Sequence, residues 1–153
     1  MNILFICRSN VCRSPLAEAL LKKKFADNRL NGEVRSAGFE SFHINELPDD
    51  NIVSLAASHG VEVSGRARLF TKGDFIRFDR IYAMDALGYN DAMEMAESGE
   101  EKEKVDYLMN VIVPGKNRII PDPYHSGVTD CESLFTLLDE ITDKLIEEIK
   151  ASE

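Results

Sequence analysis

The chain opens on a short unbroken apolar run, Ile3-Leu4-Phe5-Ile6. A run of that length without polar alternation predicts a strand covered on both faces. A polar loop follows, and from Ser14-Pro15 the spacing becomes helical. Leu16, Ala19, Leu20 and Phe25 share one face, and Lys22, Lys23 and Lys24 gather toward the carboxyl end, where the helix dipole favours cations. Asn31-Gly32 marks a turn, and Val34 begins a second short strand that stops at Ala37-Gly38. A long polar stretch leads to Pro48-Asp49-Asp50, a helix start; Ile52, Val53, Leu55, Ala56 and Ala57 follow, and His59-Gly60 ends that helix. A third strand is predicted at Arg80–Met84. Residues 85–108 look weakly helical, with an acidic run over 97–103 that reads as a solvated face. Ile119-Ile120 is expected to be a last short strand. Leu134, Leu137, Leu138, Ile141, Leu145 and Ile149 recur at helical spacing and predict a terminal helix over 131–150, with Cys131 expected in the core.

Strands alternating with helices predict an α/β fold: a three-layer, doubly wound parallel sheet of about four strands with helices on both faces. The default site then lies at the carboxyl ends of the strands. The 153 residues fit one domain spanning 1–153. Hydrophobic residues make up 44% and charged residues 29%, enough apolar material for a real core. The net charge of -9 disfavours nucleic acid and anionic membranes as partners. It also means that a phosphate substrate has to be captured by local geometry, because the long-range field repels it. No apolar run approaches the roughly 20 residues that span a bilayer, and Met1–Cys7 does not read as a signal peptide. Three cysteines, without paired CxxC motifs, fit free thiols in a cytoplasmic protein better than a disulfide scaffold or a zinc site.

Chemistry concentrates in one loop, Cys7-Arg8-Ser9-Asn10-Val11-Cys12-Arg13-Ser14-Pro15, between the first strand and the first helix. Amides in such a loop can turn inward as an anion nest, reinforced by the positive end of the helix. Those amides and Arg13 would favour the thiolate of Cys7, the nucleophilic form. The planar fork of Arg13 is spaced to hold two phosphate oxygens. Ser14 has two candidate roles, helix cap or hydrogen-bond partner of Cys7.

This stretch resembles the phosphate-binding loop of the low-molecular-weight protein tyrosine phosphatases, whose pattern is C-x-G-N-x-C-R-S-P near the amino terminus. Asp122-Pro123-Tyr124 resembles that family's general-acid loop, and Ser36-Ala37-Gly38, Pro48-Asp49, Ala67-Arg68 and Met84-Asp85 also match. The resemblance implies a phosphoric monoester hydrolase that acts through a cysteinyl-phosphate intermediate. Cys7 is then the nucleophile, Arg13 the clamp and Asp122 the general acid. Arg8, Ser9, Asn10, Val11, Cys12 and Ser14 complete the phosphate-binding loop, and Phe42 and Tyr124 wall a slot for an aryl ring. Neither cofactor nor metal is implied. The expected partners are phosphotyrosine proteins or aryl phosphates, with inorganic phosphate as product and competing ligand. The resemblance also implies that Asn10 stiffens the loop, that Ser36 supports that network, and that Cys12 forms a vicinal redox pair with Cys7. His43 and His125 are expected on the surface near the slot.

The chain departs from the family pattern at Ser9, where Gly is usual, and at Gly65, where a supporting His is common; both bear on loop stiffness. Three rival readings stand beside the first. A phosphoarginine phosphatase of the same family is disfavoured because Val11 is aliphatic where that specificity is associated with Thr. An arsenate reductase is disfavoured because this chain, with only Cys12 and Cys131 beside Cys7, has no further cysteine pair for the disulfide relay such an enzyme needs. A phosphocarrier or anion-binding module has no use for the acid at Asp122.

Overall fold

The computed structural model describes residues 1–124 and 130–153. Four strands, β1 (Ile3–Ile6), β2 (Val34–Ala37), β3 (Arg80–Ala83) and β4 (Val105–Tyr107), form one parallel sheet in the order β2-β1-β3-β4. Ile3 pairs with Val34 on one side and Arg80 on the other, so β1 is central. Among the described residues, six helices accompany the sheet: α1 (Arg13–Asp27), α2 (Asp50–Ser58), α3 (Asp74–Arg77), α4 (Ala86–Met95), α5 (Gly99–Glu103) and α6 (Cys131–Ser152).

The unbroken apolar run of β1 is explained by its two covered faces. Ile3 and Phe5 pack into a core with Leu16 and Leu20 of α1 and Leu138, Ile141 and Leu145 of α6. Leu4 and Ile6 point the other way, toward Phe70, Phe75, Phe78 and Ala92. Helices therefore cover both faces of the sheet, as the strand–helix alternation predicts. The terminal helix holds its place through one stripe. Leu134, Leu138, Ile141, Leu145 and Ile149 are all fully buried, each burial contributing about 1.5–3 kcal/mol. Carboxylates start three of the helices: Asp49 accepts from the Ile52 amide at 3.1 Å, Asp85 from Gly88 at 2.9 Å and Asp130 from Ser133 at 2.7 Å.

Two expectations are corrected. The stretch over 85–108 is not helical throughout: it ends in β4, whose three residues are buried, exposed and buried in turn. Three residues are too few to set a period-2 signal against the preceding helical one. Ile119-Ile120 is not a strand. The Ile120 amide makes a single bond to the Met84 carbonyl at 2.7 Å, and no ladder follows. The short helix α3 lies between the second helix and third strand read from the sequence; its four residues carry no apolar period.

The strand order sends the chain outward from β1 in both directions. The crevice at the carboxyl ends of β1 and β3 is therefore the topological switch point where such sheets bind ligands. Among the described residues, no helix is long and apolar enough to cross a membrane.

Candidate active site

The loop leaves the sheet at the end of β1, inside that crevice. The Cys7 amide donates to the Ala37 carbonyl at 3.3 Å, which fixes where the turn begins. The Cys7 side chain is buried at the base of the loop, with its Sγ 2.9 Å from Ser14 Oγ. The Asn10 amide donates to the same sulfur at 3.3 Å. Ser14 gives no cap bond to α1, so of its two candidate roles the structure selects the contact with Cys7. Among the described residues, the amides of Ser9, Val11, Cys12, Arg13 and Ser14 have no hydrogen-bond acceptor. A turn of successive open amides running into a helix N-terminus is the geometry of an anion nest.

Asn10 holds this turn in shape. It is the loop residue in the left-handed region, with φ at 60°, a conformation Asn tolerates better than most. Its side chain works in both directions: Nδ2 donates to Ser14 Oγ at 2.9 Å, and Oδ1 accepts from the Arg68 amide at 3.1 Å. Ser9 does not adopt positive φ, so the missing glycine at that position imposes no such strain. Glycine is required instead at Gly38, where a Cβ would sit 2.8 Å from the Arg8 carbonyl and 3.0 Å from Asn10 Cβ. That close approach lets the amides of Phe39 and Glu40 donate to the Arg8 carbonyl at 2.8 and 3.1 Å.

Arg13 closes the ring from the first turn of α1 and is buried. Its Nη1 donates to the Ile120 carbonyl and its Nη2 to Asp85 Oδ2, both at 2.7 Å. Burial alone would lower its pKa, but the charges of Cys7 and Asp85 outweigh that, and the net shift is upward. Two of the five guanidinium N–H groups are thus taken by the protein, which aims the fork and leaves the rest for a ligand. Asp85, which holds Arg13 at this site, has no role assigned to it from the sequence. The signal was present: an acid directly after β3, at the carboxyl edge of the sheet. At the loop mouth, Arg8 Nη1 lies 3.6 Å from Asp91 Oδ2.

The Asp122 segment is brought to the loop by the Ile120 carbonyl, and the charge of Asp122 acts on both Arg13 and Cys12. Asp122 Oδ1 accepts from the Tyr124 amide at 2.9 Å. Tyr124 in turn ties this segment to α2: its hydroxyl donates to Asp49 Oδ2 at 2.5 Å and accepts from Asn51 Nδ2 at 3.3 Å. Burial of the hydroxyl and then its bond to Asp49 push the Tyr124 pKa up, so it remains a neutral donor. The Asp49 amide donates to the Val11 carbonyl at 2.8 Å, which links the phenol to the loop through one residue.

Phe42 lies in a single 3-10 turn (Ser41–His43) and is 72% exposed, which excludes a core position. It stands two residues from Glu40, whose amide is anchored on Arg8. His43 bonds Glu46 at 2.7 Å, and His125 lies outside the described residues. Ser36 does not join the Asn10 network; its hydroxyl donates to Glu18 Oε1 at 2.6 Å instead, because β2 points it toward α1. Cys131 is not core: as the first residue of α6 it is half-buried, 3.6 Å from the Tyr124 hydroxyl. Gly65 has φ of +92° and open space where a side chain would stand, so the brace on Asn10 comes from the Arg68 backbone. Cys7, Cys12 and Cys131 are all free, and burial, followed by the charges of Asp122 and Cys7, pushes the Cys12 thiol up.

The family profile for low molecular weight phosphotyrosine protein phosphatase matches residues 2–153. A curated relative, low molecular weight phosphotyrosine protein phosphatase 2 of Drosophila melanogaster, is 38% identical over 137 residues, covering 88% of this chain and 83% of its own. Among solved structures, a protein tyrosine phosphatase of Entamoeba histolytica superposes with a TM-score of 0.89 at 29% identity, covering 99% of this chain and 98% of its own. A drosophila arginine phosphatase superposes equally well, with a TM-score of 0.89 at 29% identity over the whole of both chains. With matches that run from end to end, in sequence and in fold, the chain belongs to the low molecular weight phosphotyrosine protein phosphatase family.

Proposed function

We propose that this chain hydrolyses protein phosphotyrosine through a phosphocysteine on Cys7. The observation that carries this reading is the Cys7 sulfur, held 2.9 Å from Ser14 Oγ inside a ring of open amides that Arg13 closes. The phosphoryl group sits in the ring, its equatorial oxygens on the loop amides and the free edge of Arg13. Cys7 Sγ attacks phosphorus in line with the leaving oxygen, and the S–P bond forms as the P–O bond breaks. Asp122 gives its proton to the departing phenolate. It then takes a proton from the water that attacks phosphorus, which releases phosphate and returns Cys7. Ser14 donates its hydroxyl hydrogen to the sulfur when the thiolate departs, and Asn10 orients that hydroxyl.

Asp122→Asn tests the acid. It slows phenyl phosphate by about 10²–10⁴-fold, the range of one general acid, and slows a strongly activated aryl phosphate much less, because that oxygen leaves without a proton. Equal losses for the two substrates would remove Asp122 from the chemistry.

Phosphoarginine is the second reading, supported by the likeness to the drosophila arginine phosphatase. The aliphatic Val11 and the aromatic side chains of Phe42 and Tyr124 favour an aryl group over it. Turnover of matched phosphotyrosine, phosphoarginine and phosphoserine peptides in chelator separates these readings. The phosphotyrosine peptide is expected to be hydrolysed fastest, and a faster phosphoarginine peptide would overturn the assignment.

Cys12 is assigned a protective role. Peroxide oxidises Cys7 to the sulfenic acid, and the Cys12 thiol condenses with it, forming the disulfide and releasing water. Because burial raises the Cys12 pKa, little thiolate is present at neutral pH, and condensation accelerates as pH rises. Mild peroxide is expected to inactivate the enzyme, thiol reductant to restore it and bound phosphate to protect it. Cys12→Ser keeps most activity and recovers poorly; equal recovery of Cys12→Ser and the native protein would leave Cys12 a packing residue.

A further inference from the structure

A second cavity of about 170 Å³ adjoins the loop. It shares Asn10 with the loop, but neither Cys7, Arg13 nor Asp122 lines it. Four cations do: Lys22 of α1, Arg35 of β2, and Arg66 and Arg68 of the segment that follows Gly65. Glu18 is the one carboxylate in the wall. In a chain of net charge -9, such a local excess of positive charge is notable for its pairing.

Glu18 is already committed, to Lys22 Nζ at 2.5 Å and to the Ser36 hydroxyl at 2.6 Å. Arg68 sets both Nη atoms on Asp74, at 3.0 and 3.1 Å. The other two guanidinium groups are poorly compensated. Arg66 donates to the Asn45 carbonyl at 2.9 Å and has no carboxylate within ion-pair distance among the described residues. Arg35 Nη2 lies 3.5 Å from Glu33, whose two oxygens the Arg77 fork already holds. Gly65 also lines the cavity, and a Cβ there would meet nothing within 4 Å. The mouth of the cavity is therefore open.

We propose that this cavity is a second oxyanion site, which takes a small, multiply charged oxyanion of the phosphate class between Arg35 and Arg66. Two guanidinium forks with unspent donors recognise tetrahedral oxyanions. The polar wall offers an apolar ligand little. The ligand sits close to the loop brace, since the Arg68 amide that borders the cavity is the donor to Asn10 Oδ1. The proposal is independent of the phosphatase reading, because binding here is measured without turnover.

The test is calorimetric titration of the native protein with inorganic phosphate at low ionic strength, where exposed cations are least screened. Two sites are expected. Arg35→Ala/Arg66→Ala weakens the second by about tenfold or more, as loss of charge-assisted donors implies. The same variant leaves the other site and aryl phosphate turnover within about twofold, which also reports that it folds. Arg13→Ala removes the loop site and spares the second. A phosphoserine peptide titrated in parallel tells a free oxyanion from a phosphoryl group carried on a protein: the tighter of the two probes identifies the source. One bound phosphate per native chain, or a second site that survives Arg35→Ala/Arg66→Ala, overturns the proposal.

Discussion

Cys7→Ser is expected to abolish turnover, by about four orders of magnitude or more on the scale of nucleophile removal in covalent catalysis, while phosphate binding stays within a few-fold of native. The separation follows from the geometry. The loop amides and Arg13 form the cradle, and Arg13 is held in place by the Ile120 carbonyl and Asp85, not by the sulfur. The hydroxyl that replaces the thiol retains a neighbour in Ser14 Oγ, 2.9 Å from the native sulfur. What is lost is the nucleophile, because a serine hydroxyl with no base beside it is a weak attacker. Steady-state turnover and phosphate titration on the same preparation check both halves. A Cys7→Ser enzyme with near-native rate would end the covalent reading, and one that no longer binds phosphate would mean that the sulfur shapes the cradle itself.

Arg13→Lys is expected to have the next largest effect, at about 10²–10³-fold in kcat, the loss seen when a preorganised donor to developing charge is removed. Charge is preserved in this change, so the effect isolates geometry. The native guanidinium is gripped along one edge by the Ile120 carbonyl and by Asp85, both at 2.7 Å, and presents the rest of its planar fork to the cradle. An ammonium has no second edge: it can satisfy Asp85 or the phosphoryl oxygens in a fixed geometry, but not both. The pair is also largely buried, with side chains 8% and 16% exposed, so leaving either charge without its partner costs about 3–5 kcal/mol. Measured kcat for Arg13→Lys within tenfold of native would show that a point charge suffices and that the fork is not used.

Much of this site was legible in the sequence because its residues are contiguous. Cys7 to Ser14 carry the proposed nucleophile, cradle and clamp in one loop, and the apolar run before them and helical spacing after them place that loop at the end of a buried strand. The same locality served the Cys7–Ser14 and Asn10–Ser14 contacts, which span no more than seven residues, whereas the Arg68 amide that braces Asn10 comes from 58 positions away. What was hidden depends on distant chain segments. Asp85 reaches Arg13 across 72 positions and the Ile120 carbonyl reaches it across 107. Ile120 itself looked like a strand residue because burial makes it apolar, although its backbone serves Met84 and Arg13 rather than a ladder. Ser36 shows the limit of carrying a role over by resemblance. It stands at the matching position, yet its hydroxyl finds Glu18 nearer than the loop. The edge strand Val105–Tyr107 escaped because its identity comes from pairing with β3, a tertiary fact that a three-residue pattern does not encode.

The most direct test of the account is to stop turnover of a phosphorus-labelled aryl phosphate in acid within milliseconds and locate the label by peptide mapping. A transient phosphoryl group is expected on the peptide that contains Cys7, formed before phosphate is released and absent from Cys7→Ser. Label on a histidine or carboxylate peptide instead, or continued turnover with the Cys7 peptide never labelled, would contradict it.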